Sequence, residues 1–125
     1  MINDLDNLSN SRLLLIFLRN PVLGKTKTRL AKGIGDENAL KVYVKLLGHT
    51  LDMAAGLTQT TVRLCFTDAV EETGIFGRYP FEKTVQTGED LGARMQHAFE
   101  EGFSSGYKKI VVIGSDLPTL STRLL

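Results

Sequence analysis

The chain has 125 residues, 42% hydrophobic and 23% charged, with a formal net charge of +1, which is the size and balance of one globular domain with one modest core. That charge gives no general drive toward nucleic acid or an anionic membrane, and no apolar run is long enough to span a bilayer. Cys65 is the single cysteine, so neither a disulfide framework nor a cysteine metal cluster can form within the chain.

Residues 1–10 contain Asp4, Asp6, Asn3, Asn7 and Asn10. They have no basic start and no apolar stretch, so they do not read as a signal peptide, and the expected compartment is the cytoplasm. This segment is expected to be a flexible lead-in to a single domain over residues 11–125. Arg12 to Leu18 is a continuous apolar run after its first residue, the pattern of a strand buried on both faces.

A basic loop follows. Arg19, Lys25, Lys27, Arg29 and Lys32 lie in a window with no Asp or Glu between Asp6 and Asp36. Lys25, Lys27 and Arg29 alternate with Thr26 and Thr28, a spacing that points three cations the same way in an extended stretch. Gly24 allows close backbone approach to a ligand. A positive loop at the end of a buried strand suits a phosphate, against the plainer reading of a solvated basic surface. It is not a Walker A loop: Gly24-Lys25-Thr26 fits the end of that motif, but its first glycine would fall at Arg19. No strand candidate is followed by G-x-G-x-x-G either.

Asp36 is the expected N-cap of a helix running from Glu37 to about Leu57. Leu40, Tyr43, Val44, Leu47, Leu51, Ala54 and Ala55 share its apolar face, His49 falls on the polar side, and Gly56 marks the end. Thr61 to Thr67 is a β-branched strand, in which Cys65 reads as a buried structural thiol. An irregular stretch follows, with a short helix around Thr73 to Arg78, then a third strand from Lys83 to Gln86. Helical period returns from Asp90, with Leu91, Met95, Ala98, Phe99 and Gly102 on one face and Arg94 and His97 off it. Lys109 to Ile113 is a fourth strand, and Ser121 resembles an N-cap near the end. The order β-α-β-β-α-β predicts an α/β sheet, largely parallel and covered on both faces.

Three segments fall at strand C-terminal ends, where open α/β sheets bind ligands: the basic loop, the turn from Gln86 to Asp90, and Gly114-Ser115-Asp116. Asp116 is placed to hold Mg²⁺ or Mn²⁺, or equally to cap the turn that follows. Glu89 and Asp90 fit either a ligand role or the dipole of the helix they precede. The Gln86 amide could read a base edge. His49, His97 and Cys65 form no nucleophilic triad that the spacing supports.

These segments carry a resemblance. Asn20 to Ala31 (NPVLGKTKTRLA), Gln86 to Met95 (QTGEDLGARM) and Gly114 to Pro118 (GSDLP), in that order, resemble an uncharacterised GT-A-like family. It is often labelled a radical-SAM/selenodomain-associated transferase or glycosyltransferase, and is similar to nucleotidyltransferases that load guanosine monophosphate onto molybdopterin or phospholactate. The resemblance implies a nucleotide-diphospho-sugar transferase fold of Rossmann-like, three-layer α/β/α type. It implies phosphate binding by Gly24, Lys25, Lys27, Arg29 and Ser115, with Lys25 and Arg29 stabilising the reaction. It further implies base or ribose contact by Gln86, Gly88 and Glu89, and metal binding by Asp116. Such a protein takes a nucleotide or nucleotide-sugar, with no nucleic-acid or membrane partner. Members are usually longer and carry an Asp-Gly-Gly-Tyr-like segment that this sequence does not contain. The expectation is therefore the N-terminal part of the domain, with an uncovered surface that favours homo-oligomers. The competing reading is a non-catalytic nucleotide-binding or oligomerising fragment.

Overall fold

The computed structural model describes residues 11–21 and 35–114. The expected lead-in, the Ser121 cap, and the candidate site residues Gly24, Lys25, Lys27, Arg29, Ser115 and Asp116 lie outside the described residues.

Four strands form one sheet in the order β3-β2-β1-β4. They are β1 (Arg12–Leu18), β2 (Thr61–Phe66), β3 (Glu82–Val85) and β4 (Lys109–Gly114). Every pairing is parallel. Helix α1 (Asp36–Ala55) links β1 to β2, a 3-10 turn (Gly74–Arg78) lies between β2 and β3, and helix α2 (Leu91–Ser104) carries the chain from β3 across the sheet to β4. The element order is the one read from the sequence.

The apolar run of β1 is explained by its central place. Leu13 to Leu18 are all buried, and successive side chains enter opposite layers. Leu14, Ile16 and Leu18 pack with Tyr43, Leu47, Leu51 and Ala54 of α1, with Val62, Leu64 and Phe66 of β2, and with Phe76 of the 3-10 turn. Leu13, Leu15 and Phe17 enter the second layer with Cys65 and Tyr107, flanked by Met95 and Ala98 of α2. Phe66 and Phe76 meet edge to face with ring centroids 5.0 Å apart, tying the 3-10 turn to the first layer.

Several expectations are corrected in detail. Asp36 is the first helical residue of α1 rather than its cap. Gly35 holds the N-cap position without a side-chain bond, and Asp36 and Glu37 instead place negative charge at the positive end of the helix. The helix ends at Ala55, with Gly56 as its C-cap. Leu91, expected on the buried face of α2, is the first residue of that helix and is 63% exposed. Gly102, on the same face, lets α2 lie close against the sheet: a Cβ there would lie 2.6 Å from Ile110 Cδ1 and 2.9 Å from Leu13 Cδ2. Among the described residues no helix is long and apolar enough to cross a membrane.

Candidate functional site

The strand order places β1 between β2 and β4. From β1 the chain moves to one side through α1, and from β3 it returns to the other side through α2. The order therefore reverses between β1 and β4, where an open parallel sheet leaves a crevice beyond its strand ends. Phe17 of β1 is paired with Gly114 of β4. The segments that begin with Arg19 and with Ser115 thus leave the sheet from neighbouring strand ends.

The described part of this rim is held by side-chain to backbone bonds. The Tyr43 hydroxyl donates to the Arg19 carbonyl at 2.7 Å and accepts from the Arg19 N–H at 2.9 Å. Asn20 is buried, and its Nδ2 donates to the Ala69 carbonyl at 2.7 Å. Its Oδ1 accepts from the Asp68 N–H at 3.0 Å and the Ala69 N–H at 3.4 Å. The residue after β1 is therefore clamped from α1, and the next one is stapled to the turn after β2. Pro21 follows directly and restricts the backbone of Asn20 to extended conformations.

Gln86 completes the rim. Its Nε2 donates to the Cys65 carbonyl at 2.8 Å and reaches the Leu18 carbonyl at 3.4 Å. Its Oε1 accepts from Arg94 Nη1 at 3.4 Å. The ends of β1, β2 and β3 are thus bridged by one amide. Gly88 has φ +142°, and a Cβ there would stand 2.7 Å from the Arg94 nitrogen and 2.8 Å from the Ala93 carbonyl carbon. Only glycine lets this turn lie against the first turn of α2. Arg94 Nε donates to the Gly88 carbonyl at 3.0 Å. Asp90 is the N-cap of α2, its carboxylate accepting from the Ala93 N–H at 2.7 Å. Thr87, Gly88 and Glu89 are all exposed.

Beneath the turn, a cleft between α2 and the strands is lined by Phe17, Arg63, Cys65, Gln86, His97 and Glu101. Arg63 pairs with Glu82 at 2.8 Å, and its guanidinium lies 5.8 Å from the centre of the Tyr107 ring. Burial pushes the Cys65 thiol up to about 12, partly offset by Arg63. It stays protonated at neutral pH, as a structural thiol would. His49 and His97 lie at the surface of their helices, and His97 is 3.2 Å from Glu101. Among the described residues no group of three His, Cys, Asp or Glu side chains could hold a metal ion.

Residues 50–125 match the model of a family described as an uncharacterized protein conserved in bacteria, DUF2064. The chain belongs to this family. No curated protein matches it. A crystal structure from Desulfovibrio desulfuricans G20, described as a candidate nucleotide-diphospho-sugar transferase, shares 28% identity with it and superposes with a TM-score of 0.78. The match covers 92% of this chain and 53% of that one, so the chain spans about half the length of this relative. The fold is α/β, of the nucleotide-diphospho-sugar transferase, GT-A-like type.

Of the expected site residues, the described ones, Gln86, Gly88 and Glu89, form a single turn at the strand ends. Helical spacing marks Tyr43 only as an apolar-face residue and Arg94 only as lying off the buried face, and it assigns Asn20 no role. For Asn20 and Arg94 a signal was present: an Asn before Pro at the end of a buried strand, and an Arg in the first turn of a helix behind Gln-x-Gly. For Tyr43 no local signal exists, because its hydroxyl meets a partner 24 residues away.

Proposed function

We propose that this chain forms the donor-nucleotide side of a nucleotide-dependent transferase, moving either a sugar or a nucleotidyl group. The observation that carries the reading is the reversal of strand order between β1 and β4, with Phe17 and Gly114 side by side at the exit of the two segments richest in phosphate-binding chemistry. Lys25, Lys27 and Arg29 would bind phosphate oxygens, with the Gly24 and Ser115 backbone nearby. Lys25 and Arg29 would neutralise the charge that develops on those oxygens during transfer. Gln86, Gly88 and Glu89 would frame the base and ribose. The relation to guanylyltransferases of the molybdopterin and phospholactate type belongs to this proposal.

Asp116 would hold Mg²⁺ or Mn²⁺. The donor chemistry fits: a carboxylate oxygen two residues beyond the end of β4, with phosphate oxygens as further hard ligands. Such an ion supplies charge neutralisation at the phosphates when bound. Catalysis by positioning and electrostatics needs no side-chain nucleophile, in keeping with a protonated Cys65.

Calorimetry of the folded chain against GDP, ADP, UDP and CDP and their sugar derivatives, with and without Mg²⁺, tests the reading. One base class should bind in a metal-dependent way. Arg29→Ala should weaken that binding by roughly 1.5 kcal/mol or more, the worth of a charge-assisted bond. A folded sample that binds none of them, or an Arg29→Ala variant with undiminished affinity, refutes it. A second reading, a nucleotide-binding chain that self-associates and catalyses nothing, draws on the exposed Leu91, Phe103 and Val111. Sedimentation showing a monomer would remove that support.

A further inference from the structure

We propose that Arg94 is a positioning residue for base recognition: by bridging Gly88 and Gln86 it sets the shape of the turn that discriminates the donor base. The inference rests on the nucleotide reading above and extends it to a residue outside the three motif roles. Its basis is the bond pattern of Gln86. A guanidinium has donors only, and Cys65 and Leu18 present carbonyl oxygens only, so the amide can satisfy all three in one orientation alone. Nε2 then faces the two carbonyls, at 2.8 and 3.4 Å, and Oε1 faces Arg94. The amide donors of Gln86 are committed to the protein.

Base discrimination therefore falls to the exposed residues that follow it, Thr87, Gly88 and Glu89. Their backbone is tied down at each end. Asp90 caps α2 through the Ala93 N–H, and Arg94 Nε holds the Gly88 carbonyl at 3.0 Å. Among the described residues, the Arg94 side chain bonds both the turn, at Gly88, and Gln86, and through Gln86 it is tied to the ends of β1 and β2. A Cβ on Gly88 would stand 2.7 Å from the Arg94 backbone nitrogen, so the turn lies against the stretch of helix from which the guanidinium extends to both acceptors. A lysine ammonium is a point donor without the fixed fork and cannot reproduce the paired geometry.

The test measures affinities of the folded wild type, Arg94→Lys and Arg94→Ala for GDP, ADP, UDP and CDP with Mg²⁺, and for inorganic pyrophosphate. The ratio between the best and worst base should fall about tenfold in both variants, as expected when a charge-assisted bond orders a recognition turn. Pyrophosphate affinity should stay within about twofold, because that probe has no base to read. Arg94→Lys carries the test where the alanine variant does not fold. Variants that melt lower but keep the wild-type base ratio show a merely structural arginine and overturn the inference alone. A wild type that binds pyrophosphate with no base preference also overturns it while leaving the phosphate site standing. A wild type that binds no probe overturns the nucleotide reading, and this inference with it.

Discussion

Replacing Tyr43 by Phe removes one oxygen atom and keeps the ring that packs in the first layer. In the structure that oxygen closes two hydrogen bonds with a single peptide residue, Arg19, at 2.7 and 2.9 Å. At about 1 kcal/mol net per bond the loss comes to ~2 kcal/mol. Arg19 is itself exposed, so water can partly satisfy its backbone in the variant, which keeps the loss from reaching the penalty of two orphaned buried groups. A 125-residue chain has an unfolding entropy on the order of 260 cal/mol/K, which turns that loss into a fall of about 8 °C in Tm. Urea denaturation should show a lower midpoint with an unchanged slope, because the surface exposed on unfolding is nearly the same. A midpoint shift worth less than about 0.3 kcal/mol, well under one net hydrogen bond, would mean that the Tyr43 clamp contributes nothing to the rim. The physical argument for a rigid exit from β1 would then fail.

Gly88→Ala should destabilise the fold by about 2–4 kcal/mol, since the variant combines a left-handed backbone with a Cβ pressed onto the first turn of α2; a melting temperature equal to wild type would show that the turn can move away from the helix. Cys65 should resist iodoacetamide at pH 8 in the folded chain and react on unfolding, because burial keeps its thiol protonated. The same group gives a sign to the alkaline stability. Its folded pKa, about 12, lies above the ordinary 9.0, so between these values the unfolded chain has lost the proton that the folded chain keeps. Stability should therefore fall as pH rises from about 9 toward 12, by at most ~1.4 kcal/mol per pH unit. The Cys65→Ala variant should lose that part of the slope, and identical slopes in the two proteins would place the cause elsewhere.

Much of the fold was legible because its signals are local. The apolar run from Leu13 to Leu18 announces a strand buried on both faces, and the helical spacing through Tyr43, Leu47, Leu51 and Ala54 announces the helix that covers one of them. The strand following Thr60 and the short turn ending at Arg78 were placed to within a residue. The errors sit at element ends. Asp36 is the first helical residue and Gly35 holds the N-cap position, and Leu91, at the first position of its helix, is exposed because periodicity gives a helix face but not how far along the helix that face stays covered.

The candidate site divides along the same line. By itself the sequence determined the chemistry on offer: a run of cations free of acids after the first strand, an aspartate three residues after the expected end of the fourth, and a Gln-Thr-Gly-Glu-Asp turn before a helix. Residue types and short spacings are enough for that, because charge and donor capacity travel with the side chain. Only the tertiary structure decided the strand order, which sets Phe17 beside Gly114 across nearly a hundred residues of chain. It also decided that the Gln86 amide is spent on Cys65, Leu18 and Arg94, and that Tyr43 and Asn20 anchor the exit of β1. Apart from the Gln86–Arg94 pair, those contacts join groups more than twenty residues apart in sequence, and a hydrogen bond of this kind exists only once packing has brought its donor and acceptor to the same point in space.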